Sequence, residues 1–431
     1  MKNWQRLPVA LLLLVAAAFG PRPALAQSQG SASHLTVYDA GMAEFLEERT
    51  LELETGTNQI EWRSLMPKAV VRTLRVTVEG GEVVRQDVTY DGPEVRGQRS
   101  PVLRLVVRNP GAAGPRRVQV DYLAPDMNWR ADYSLVLGAP EREGAPPTSA
   151  VLDCWVSLYN QTGADLRAGT LDLVAGELSL LSPDGTPRAD RDEYTRNVSQ
   201  LSVLGGSNEV ASSAGAAPLS AFTRFRLGRG VVLTANAPTS RLPIFQHARL
   251  SVVQRNVFEN EYNTQTLGRG GFILLPRGLE VRLVARNPTE ASMPAGQVTI
   301  YAREGGAPPQ VVGQDRIPLT PPGGEFSVAQ GRSATLFGTR RVLERRQVEY
   351  RSQDGNIRYK LITRVEVVLT NRGPLAAEAF VREGVEPHAD NQWTVLESSA
   401  PHERLAASSL QFKVQVPARG QTTVTYTVET K

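Results

Sequence analysis

The sequence has very few of the residues that build disulfides, metal centres and redox sites. Its 431 residues include one cysteine and four histidines. A single cysteine excludes an internal disulfide, and no Cys/His spacing typical of structural zinc is present. We interpret Cys154, which lies in the apolar segment 151–159, as a small buried hydrophobe in a strand rather than a reactive thiol. The fold is therefore expected to depend on its apolar core alone.

Charge of one sign and long apolar runs are also lacking. The chain has 48 basic residues against 44 acidic residues. This balance excludes the concentrated basic face that nucleic-acid binding requires. No segment after residue 26 approaches the roughly 20 apolar residues of a transmembrane helix. We therefore expect no nucleic-acid partner and no transmembrane span in the mature chain.

The first 26 residues have the pattern of a secretory signal peptide. Lys2 and Arg6 precede a compact apolar run over 9–19, and residues 24–26 (ALA) form an A-x-A cleavage site. We predict a mature chain that begins near Gln27 and is exported to the periplasm, the cell envelope or the cell surface. An uncleaved N-terminal anchor is the alternative.

Short segments that alternate between apolar and polar residues dominate the rest of the chain. Examples are 34–39, 73–78, 103–108 and 117–122. Turn-forming residues separate such segments, as in the Asn-Pro pairs at 109–110 and 287–288. A two-residue period is typical of antiparallel sheets with one buried face, and no segment shows a sustained helical period with caps. The sequence therefore predicts an all-β protein made of several antiparallel β-sandwich units.

Composition divides the predicted mature chain into three units. The N-terminal β unit covers 27–137. The central β unit covers 138–338 and contains a segment rich in Ser, Gly and Ala at about 182–220, which we predict to be an exposed mobile loop. The C-terminal unit covers 339–431, where six short strands predict an immunoglobulin-like or fibronectin-like sandwich. Residues 417–420 are predicted to join two of those strands as a hairpin connection.

Several segments occur in an order that resembles a known family. They are 122–133 (YLAPDMNWRADY), 160–165 (NQTGAD), 294–301 (PAGQVTIY), 393–399 (WTVLESS) and 416–426 (VPARGQTTVTY). Over roughly 122–431 the chain resembles a family of exported bacterial proteins classed as a domain of unknown function, a neighbour of the mucoidy-inhibitor-like family. The resemblance implies a β-rich architecture and an envelope location, and it implies no established activity, cofactor or catalytic residue. Longer relatives carry an extra segment where this chain has only 91–100, so no function housed in that segment carries over.

The sequence contains no recognisable catalytic constellation. Neither the G-x-S-x-G elbow of serine hydrolases nor an S-x-x-K pair occurs. None of the four histidines shares the i, i+2 or i, i+4 spacing of metal ligands with another: His34, His247, His388 and His402. A weak surface metal site is the alternative to plain polar loop residues for one group: Glu386, His388, Asp390, His402 and Glu403. We prefer the loop interpretation and expect no stoichiometric metal.

Three further patterns favour ordinary loops over binding sites. A loose calcium site would use four acidic residues whose spacing misses the EF-hand pattern: Asp184, Asp190, Asp192 and Glu193. The segment 268–271 (GRGG) lacks the lysine and the strand-to-helix context of a phosphate loop, so we interpret it as a turn. Asn160 and Asn197 fit N-x-[ST], but beside a bacterial type of export signal this pattern carries little weight.

Arginine and tryptophan residues are candidates for contact with a polymer. Four arginines begin the C-terminal unit: Arg340, Arg341, Arg345 and Arg346. Their bidentate donors suit an anionic envelope polymer or headgroup, but we prefer a solvated strand in which Glu344 and Glu349 alternate with them. Trp129, Trp155 and Trp393 adjoin strand-like runs, and we expect them in the core rather than on a carbohydrate-stacking platform.

The sequence predicts no catalytic, cofactor-binding or metal-binding residue. We expect a non-enzymatic, exported cell-envelope protein that acts by binding or scaffolding. Its partner would be an envelope protein or polymer, bound at loops or by strand addition to an open sheet edge. The alternative is an envelope-polymer hydrolase whose site is assembled from distant loops. A cleft that holds His388 or His402 against Asp, Glu or Ser would favour that alternative.

Overall fold

The computed structural model consists almost entirely of β-strands. The structure describes residues 30–92, 94–95, 97–142, 144–175, 223–235, 240–260, 273–303, 307–351, 355–385 and 393–430. The first twelve strands are β1 (Gly30–Tyr38), β2 (Met42–Leu53), β3 (Gly56–Trp62), β4 (Arg75–Val78), β5 (Glu82–Thr89), β6 (Glu94–Val95), β7 (Gln98–Arg99), β8 (Val102–Asn109), β9 (Gly114–Pro125), β10 (Met127–Leu137), β11 (Ser149–Asn160) and β12 (Leu166–Ala175). The remaining twelve are β13 (Thr223–Leu233), β14 (Ser240–Asn260), β15 (Ile273–Arg286), β16 (Gly296–Ala302), β17 (Gln310–Ile317), β18 (Glu325–Arg351), β19 (Ile357–Asn371), β20 (Ala377–Gly384), β21 (Trp393–Ser398), β22 (His402–Ala406), β23 (Ser409–Val416) and β24 (Gln421–Thr430).

Alternating burial confirms the all-β prediction. Along β10 every second residue from Met127 to Leu137 is buried, and the residues between them are half-buried or exposed. The only helical element within the described ranges is a three-residue 3-10 turn, Val71–Thr73. Among these same residues, no helix has the length and apolarity needed to cross a membrane.

A six-stranded sheet occupies the N-terminal part of the fold, in the order β13-β12-β1-β2-β9-β4. In it β1 pairs with β2 in antiparallel orientation and with β12 in parallel orientation. Its inner face carries buried side chains such as Leu35 and Leu171, and the stacked rings of Phe45 and Tyr122 have centroids 5.2 Å apart. A three-stranded sheet, β3-β8-β5, contributes the fully buried Trp62 to the same core.

A thirteen-stranded sheet continues through the rest of the chain. Its main path is β17-β16-β10-β11-β14-β15-β18-β19-β24-β21, and β20, β23 and β22 branch from β14. Two strands are long enough to take part in more than one layer: β14 has 21 residues and β18 has 27. Register shifts interrupt the ladder between β15 and β18, for example between Val281 and Arg282. Such bulges bend a strand and change its twist, which lets one sheet border two cores.

The second core lies between two layers formed by the last strands. One layer contains the end of β14 with β20, β23 and β22, and the other contains β18, β19, β24 and β21. Phe258, Val381 and Phe412 meet Val367 and Tyr426 between them. All six strands predicted for the C-terminal unit are present, and β22 is an additional one. The predicted hairpin at 417–420 is wrong, because β23 pairs with β20 and β22 whereas β24 pairs with β19 and β21.

Four strand ends share one hydrogen-bonding arrangement that is built on a buried asparagine. At Asn371, Nδ2 donates to the carbonyls of Leu375 (2.8 Å) and Val416 (3.3 Å), while Oδ1 accepts the N–H of Gly373 (2.8 Å). The same three kinds of bond recur at the other members, Asn109, Asn160 and Asn287. Each asparagine satisfies main-chain groups that the turn would otherwise leave unpaired. We call these four positions the asparagine corners.

Hydrogen-bonded pairing crosses both predicted unit boundaries. The boundary at 137/138 falls between β10 and β11, which pair along their whole lengths, and the boundary at 338/339 falls within β18. The division at 27–137, 138–338 and 339–431 remains a prediction. The predicted signal peptide (1–26) and the whole of the predicted mobile loop (182–220) lie outside the described residues.

Candidate functional site

The strand pair β18–β19 extends beyond its neighbours. Pairing of β18 with β15 ends at Arg341, and pairing of β19 with β24 begins at Leu361. β18 and β19 pair with each other as far as Arg351 and Ile357. We call residues 342–351 and 357–365 the ribbon, in which 361–365 also pair with β24. Residues 261–272, which precede β15 in the chain, lie outside the described residues.

Large apolar side chains are exposed along the ribbon. The exposed fractions are 42% for Leu343, 58% for Ile357 and 48% for Tyr359. Exposed apolar side chains that lie among charged residues are typical of an interaction surface. The ribbon is therefore a candidate interaction surface.

The arginines at the start of the predicted C-terminal unit differ in their surroundings. Nε of Arg340 lies 2.9 Å from Oε2 of Glu383, a carboxylate with no exposed surface, so Arg340 belongs to the base of the ribbon and not to its surface. Arg341 pairs with Glu366 at 2.5 Å on the exposed side. Arg346 pairs with Glu344 at 3.2 Å. Charges of both signs therefore alternate on the ribbon, as expected for a solvated strand.

A second polar group, which the sequence analysis missed, lies on the outer face of the six-stranded sheet. Asp172 on β12 has a fully buried side chain, and its Oδ2 lies 3.4 Å from Nε2 of His34 on β1. The other ring nitrogen, Nδ1, shares a hydrogen bond with the hydroxyl of Thr170. The register pairs His34 with Thr170 across parallel strands, although these residues are 136 positions apart in the chain. No local pattern could have predicted their contact.

Two arginines on β13 neutralise the buried carboxylate of that group. Nε of Arg226 lies 3.4 Å from Oδ1 of Asp172, and Nε of Arg224 lies 3.7 Å from its Oδ2. A histidine between a hydroxyl and a buried carboxylate is the arrangement that activates a nucleophile in acyl transfer. The same contacts also have a purely structural use, since they join the parallel strands β1 and β12 by side-chain bonds.

The other histidines form no comparable group. The ring of His402 packs against Phe412 with centroids 5.9 Å apart. His247 lies in a bulge of β14, and its Nδ1 is 3.6 Å from Oδ1 of Asp153. Within the described ranges no three His, Cys, Asp or Glu side chains are close enough to hold a metal ion. The structure does not describe His388, Glu386 and Asp390, so the metal expectation for them remains a prediction.

Trp129 and Cys154 lie in the core as expected, whereas the expectation is wrong for Trp155, which belongs to neither apolar cluster because it lies on the face of β11 opposite Cys154. Trp129 is buried and donates from Nε1 to the carbonyl of Val174 at 3.3 Å. Trp155 and Trp393 are half-buried, and arginine guanidinium groups lie over both rings. Cys154 is fully buried, and burial raises the pKa of its thiol to about 12. The prediction of a buried cysteine is confirmed, and its low reactivity stays a prediction.

Asn160 cannot serve as a glycan acceptor in the folded chain, because it is one of the asparagine corners. Its Nδ2 donates to the carbonyls of Ala164 and Leu233, and only 7% of the residue is exposed. The remaining candidates lie outside the described residues: Asp184, Asp190, Asp192, Glu193, Asn197 and the segment 268–271.

Comparison with known proteins adds no assignment. No family model matches the chain, and no curated protein matches it. Function is therefore inferred from the geometry of the ribbon and of the histidine group.

Proposed function

We propose that the chain is an exported cell-envelope protein that acts by binding or scaffolding, with an envelope protein or polymer as its partner. The observation that carries the proposal is the ribbon, whose exposed apolar side chains Leu343, Ile357 and Tyr359 lie among charged residues. Exposed apolar side chains grouped in this way are typical of a binding surface. Export is supported by the signal-like residues 1–26.

Crosslinking in intact cells followed by co-purification tests the proposal. The variant Ile357→Ser/Tyr359→Ser removes two exposed apolar side chains from the ribbon. The matched control Val84→Ser/Tyr90→Ser removes two of similar exposure, 57% and 61%, from the region of β5. We expect the ribbon variant to lose a specific envelope partner and the control to keep it. Recovery of only bulk soluble periplasmic proteins by the wild type would count against the proposal.

Cell fractionation and intact mass measurement test the proposed location. We expect a mature protein that begins near Gln27 in the envelope or periplasmic fraction. A full-length chain in the cytosol would contradict export.

A second candidate function, hydrolysis of an envelope polymer, is favoured by the histidine group. In this function His34 would accept the proton of the Thr170 hydroxyl as that oxygen attacks an ester or amide carbonyl, and Asp172 would stabilise the imidazolium. His34 would then give the proton to the departing alcohol or amine as its bond to the carbonyl carbon breaks, and water would hydrolyse the resulting acyl ester of Thr170. Hydrolysis of an activated p-nitrophenyl ester would have to fall to background in Thr170→Val and in His34→Gln. Equal rates in the wild type and both variants would eliminate this function.

A further inference from the structure

Three half-buried arginines lie on one face of neighbouring strands beside the second core. Arg255 is on β14, Arg282 is on β15 and Arg382 is on β20. β14 lies between the other two strands, because it pairs with both of them. Phe258 and Val381 belong to the second core, so the residues next to them in each strand lie on the opposite, outward face. We call the three arginine side chains the arginine cluster.

The register between β14 and β15 places two of these arginines directly opposite each other. Arg255 pairs with Arg282, and the side chains of facing residues lie on the same side of a sheet. Like charges at facing positions destabilise a sheet. The fold therefore has an electrostatic cost at this position, and a bound anion would remove it.

Hydrogen bonds hold two of the arginines in place but use only part of each guanidinium. Arg282 donates from Nη1 to Oε1 of Glu280 and from Nε to the hydroxyl of Ser327, both at 3.0 Å. Arg382 donates from Nε to Oε1 of Gln411 at 2.9 Å. Within the described ranges, no hydrogen bond uses Nη2 of Arg282 or either Nη atom of Arg382. These N–H groups can therefore donate to a ligand.

Arg255 is held by an aromatic ring and not by a carboxylate. Its guanidinium lies over Phe380, 5.7 Å from the ring centroid. In the part of the chain that the structure describes, it forms no ion pair with a carboxylate. The nearby Lys413 lies 5.9 Å from the same centroid and pairs with Glu378 at 3.0 Å, so its charge is already compensated.

An apolar floor lies beneath the arginine cluster. Val257 and Phe380 are buried on the outward face, and neither of them belongs to either apolar core. Low-dielectric surroundings strengthen the interaction between charges and focus the field of a charged group. The floor therefore increases the attraction of the guanidinium groups for an anion.

The cluster has more positive than negative charge. Burial lowers the pKa of Arg382, and among its charged neighbours Arg282 and Arg255 also lower it, whereas Glu259 and Glu280 raise it. Two carboxylates beside three guanidinium groups leave one positive charge uncompensated. A bound anion would compensate that charge and stabilise the charged form of Arg382.

We propose that Arg255, Arg282 and Arg382 bind a phosphate group, either as free phosphate or as part of a larger molecule. A tetrahedral oxyanion can present oxygens to three guanidinium groups at once, whereas a planar carboxylate is matched by a single bidentate arginine. The proposal goes beyond the proposed function, because the site contains no residue of the ribbon.

Isothermal titration calorimetry with inorganic phosphate tests the site, in chloride buffers of constant ionic strength because salt screens exposed charges. We expect saturable binding of a single phosphate per chain. Arg255→Met keeps an unbranched side chain over Phe380 but removes the donors, and it should weaken binding about tenfold to a hundredfold. Arg249→Met, at an exposed arginine of the same strand, is the matched control and should bind like the wild type. No saturable binding by the wild type, or equal binding by Arg255→Met, would overturn the proposal.

Thermal unfolding separates binding from a structural role of Arg255. Without phosphate, Arg255→Met should melt at the wild-type temperature or above it, because the change removes a like-charge contact. Added phosphate should raise the melting temperature of the wild type and not that of the variant. If Arg255→Met melted below the wild type and phosphate raised both temperatures equally, Arg255 would be structural and the proposal would be refuted.

Vesicle sedimentation identifies the source of the phosphate group. The vesicles contain phosphatidylcholine alone or an equimolar mixture with phosphatidic acid. Sedimentation with the mixed vesicles only, lost in Arg255→Met, would support the site and identify a lipid headgroup. Calorimetric binding of inorganic phosphate without sedimentation would support it and identify a soluble phosphate. Absence of both signals would refute it.

The two proposals fail separately. The ribbon variant Ile357→Ser/Tyr359→Ser should bind inorganic phosphate like the wild type, and Arg255→Met should keep the partner that crosslinks to the ribbon. A wild type that binds no phosphate would therefore leave the proposed function unchanged.

Discussion

Replacing Arg340 with methionine should destabilise the C-terminal core by about 3–5 kcal/mol, because it leaves a buried carboxylate without its cation. Oε2 of Glu383 accepts hydrogen bonds from Nε of Arg340 at 2.9 Å and from the Tyr426 hydroxyl at 2.7 Å. Glu383 has no exposed surface, and the Arg340 side chain is 15% exposed. Water therefore cannot take the place of the lost guanidinium.

Urea denaturation gives the measurement, with Trp393 fluorescence as a probe because this residue packs against the second core. The neighbouring variant Arg341→Met is the matched control, since its pair with Glu366 is exposed and screened by solvent. We expect Arg341→Met to unfold close to the wild type.

Removal of the whole polar group gives a second arm of the same experiment. Arg340→Met/Glu383→Leu/Tyr426→Phe replaces all three partners with apolar side chains, so no buried charge is left unpaired. It should be much more stable than Arg340→Met alone, since buried ionic groups contribute little net stability over apolar ones. If Arg340→Met and Arg341→Met unfolded at the same urea concentration, the assignment of Arg340 to a buried ion pair would be refuted.

Three other changes test the packing of the fold. Asn371→Ala removes three hydrogen bonds at an asparagine corner and should cost about 2–4 kcal/mol in urea denaturation, whereas Gln86→Ala, at an exposed amide, should be neutral. Gly338→Ala would place a Cβ 2.1 Å from Cδ2 of Phe258 and should lower the melting temperature by overpacking, at about 1–3 kcal/mol; an unchanged temperature would show that the ring moves freely. Cys154 should not react with a thiol reagent at pH 8 until the chain unfolds. Because burial raises the thiol pKa from 9.0 to about 12, this group stabilises the fold below pH 9, and its contribution should be lost as the pH rises from 9 to 12.

Local alternation was enough to predict where strands occur but not how they connect. The predicted strand at 358–370 lies within β19, Ile357–Asn371, whose burial alternates regularly from Val365 to Asn371. The predicted strand at 248–253 is only part of β14, Ser240–Asn260. This strand moves between partners, and bulges change which face is buried, so the two-residue period breaks within one continuous strand.

Contacts between residues that are far apart in the chain cannot be predicted from local sequence patterns. His34 meets Asp172 because β1 pairs in parallel with β12, and a parallel neighbour is set by topology rather than by nearby residues. The asparagine corners are an intermediate case. The sequence places Asn109 and Asn287 in turns. Their side-chain hydrogen bonds to a second strand end depend on the assembled sheet.

The residues of the ribbon look like an ordinary strand in the sequence, and only the folded chain shows that they form an exposed surface. Its arginines and glutamates are typical of a solvated strand in the sequence, and that interpretation agrees with their exposure. The exposure of Leu343, Ile357 and Tyr359 is known only from the folded chain, and it makes this strand pair a candidate binding surface.

Site-specific photocrosslinking on the ribbon tests the central claim most directly. A photoreactive phenylalanine analogue is placed at Tyr359 in the full chain in intact cells, and at the similarly exposed Tyr90 as a control. We predict a discrete covalent adduct at Tyr359 with an envelope protein or polymer, and none at Tyr90. No adduct at Tyr359, or equal adducts at both positions, would contradict the claim that the ribbon is the binding element.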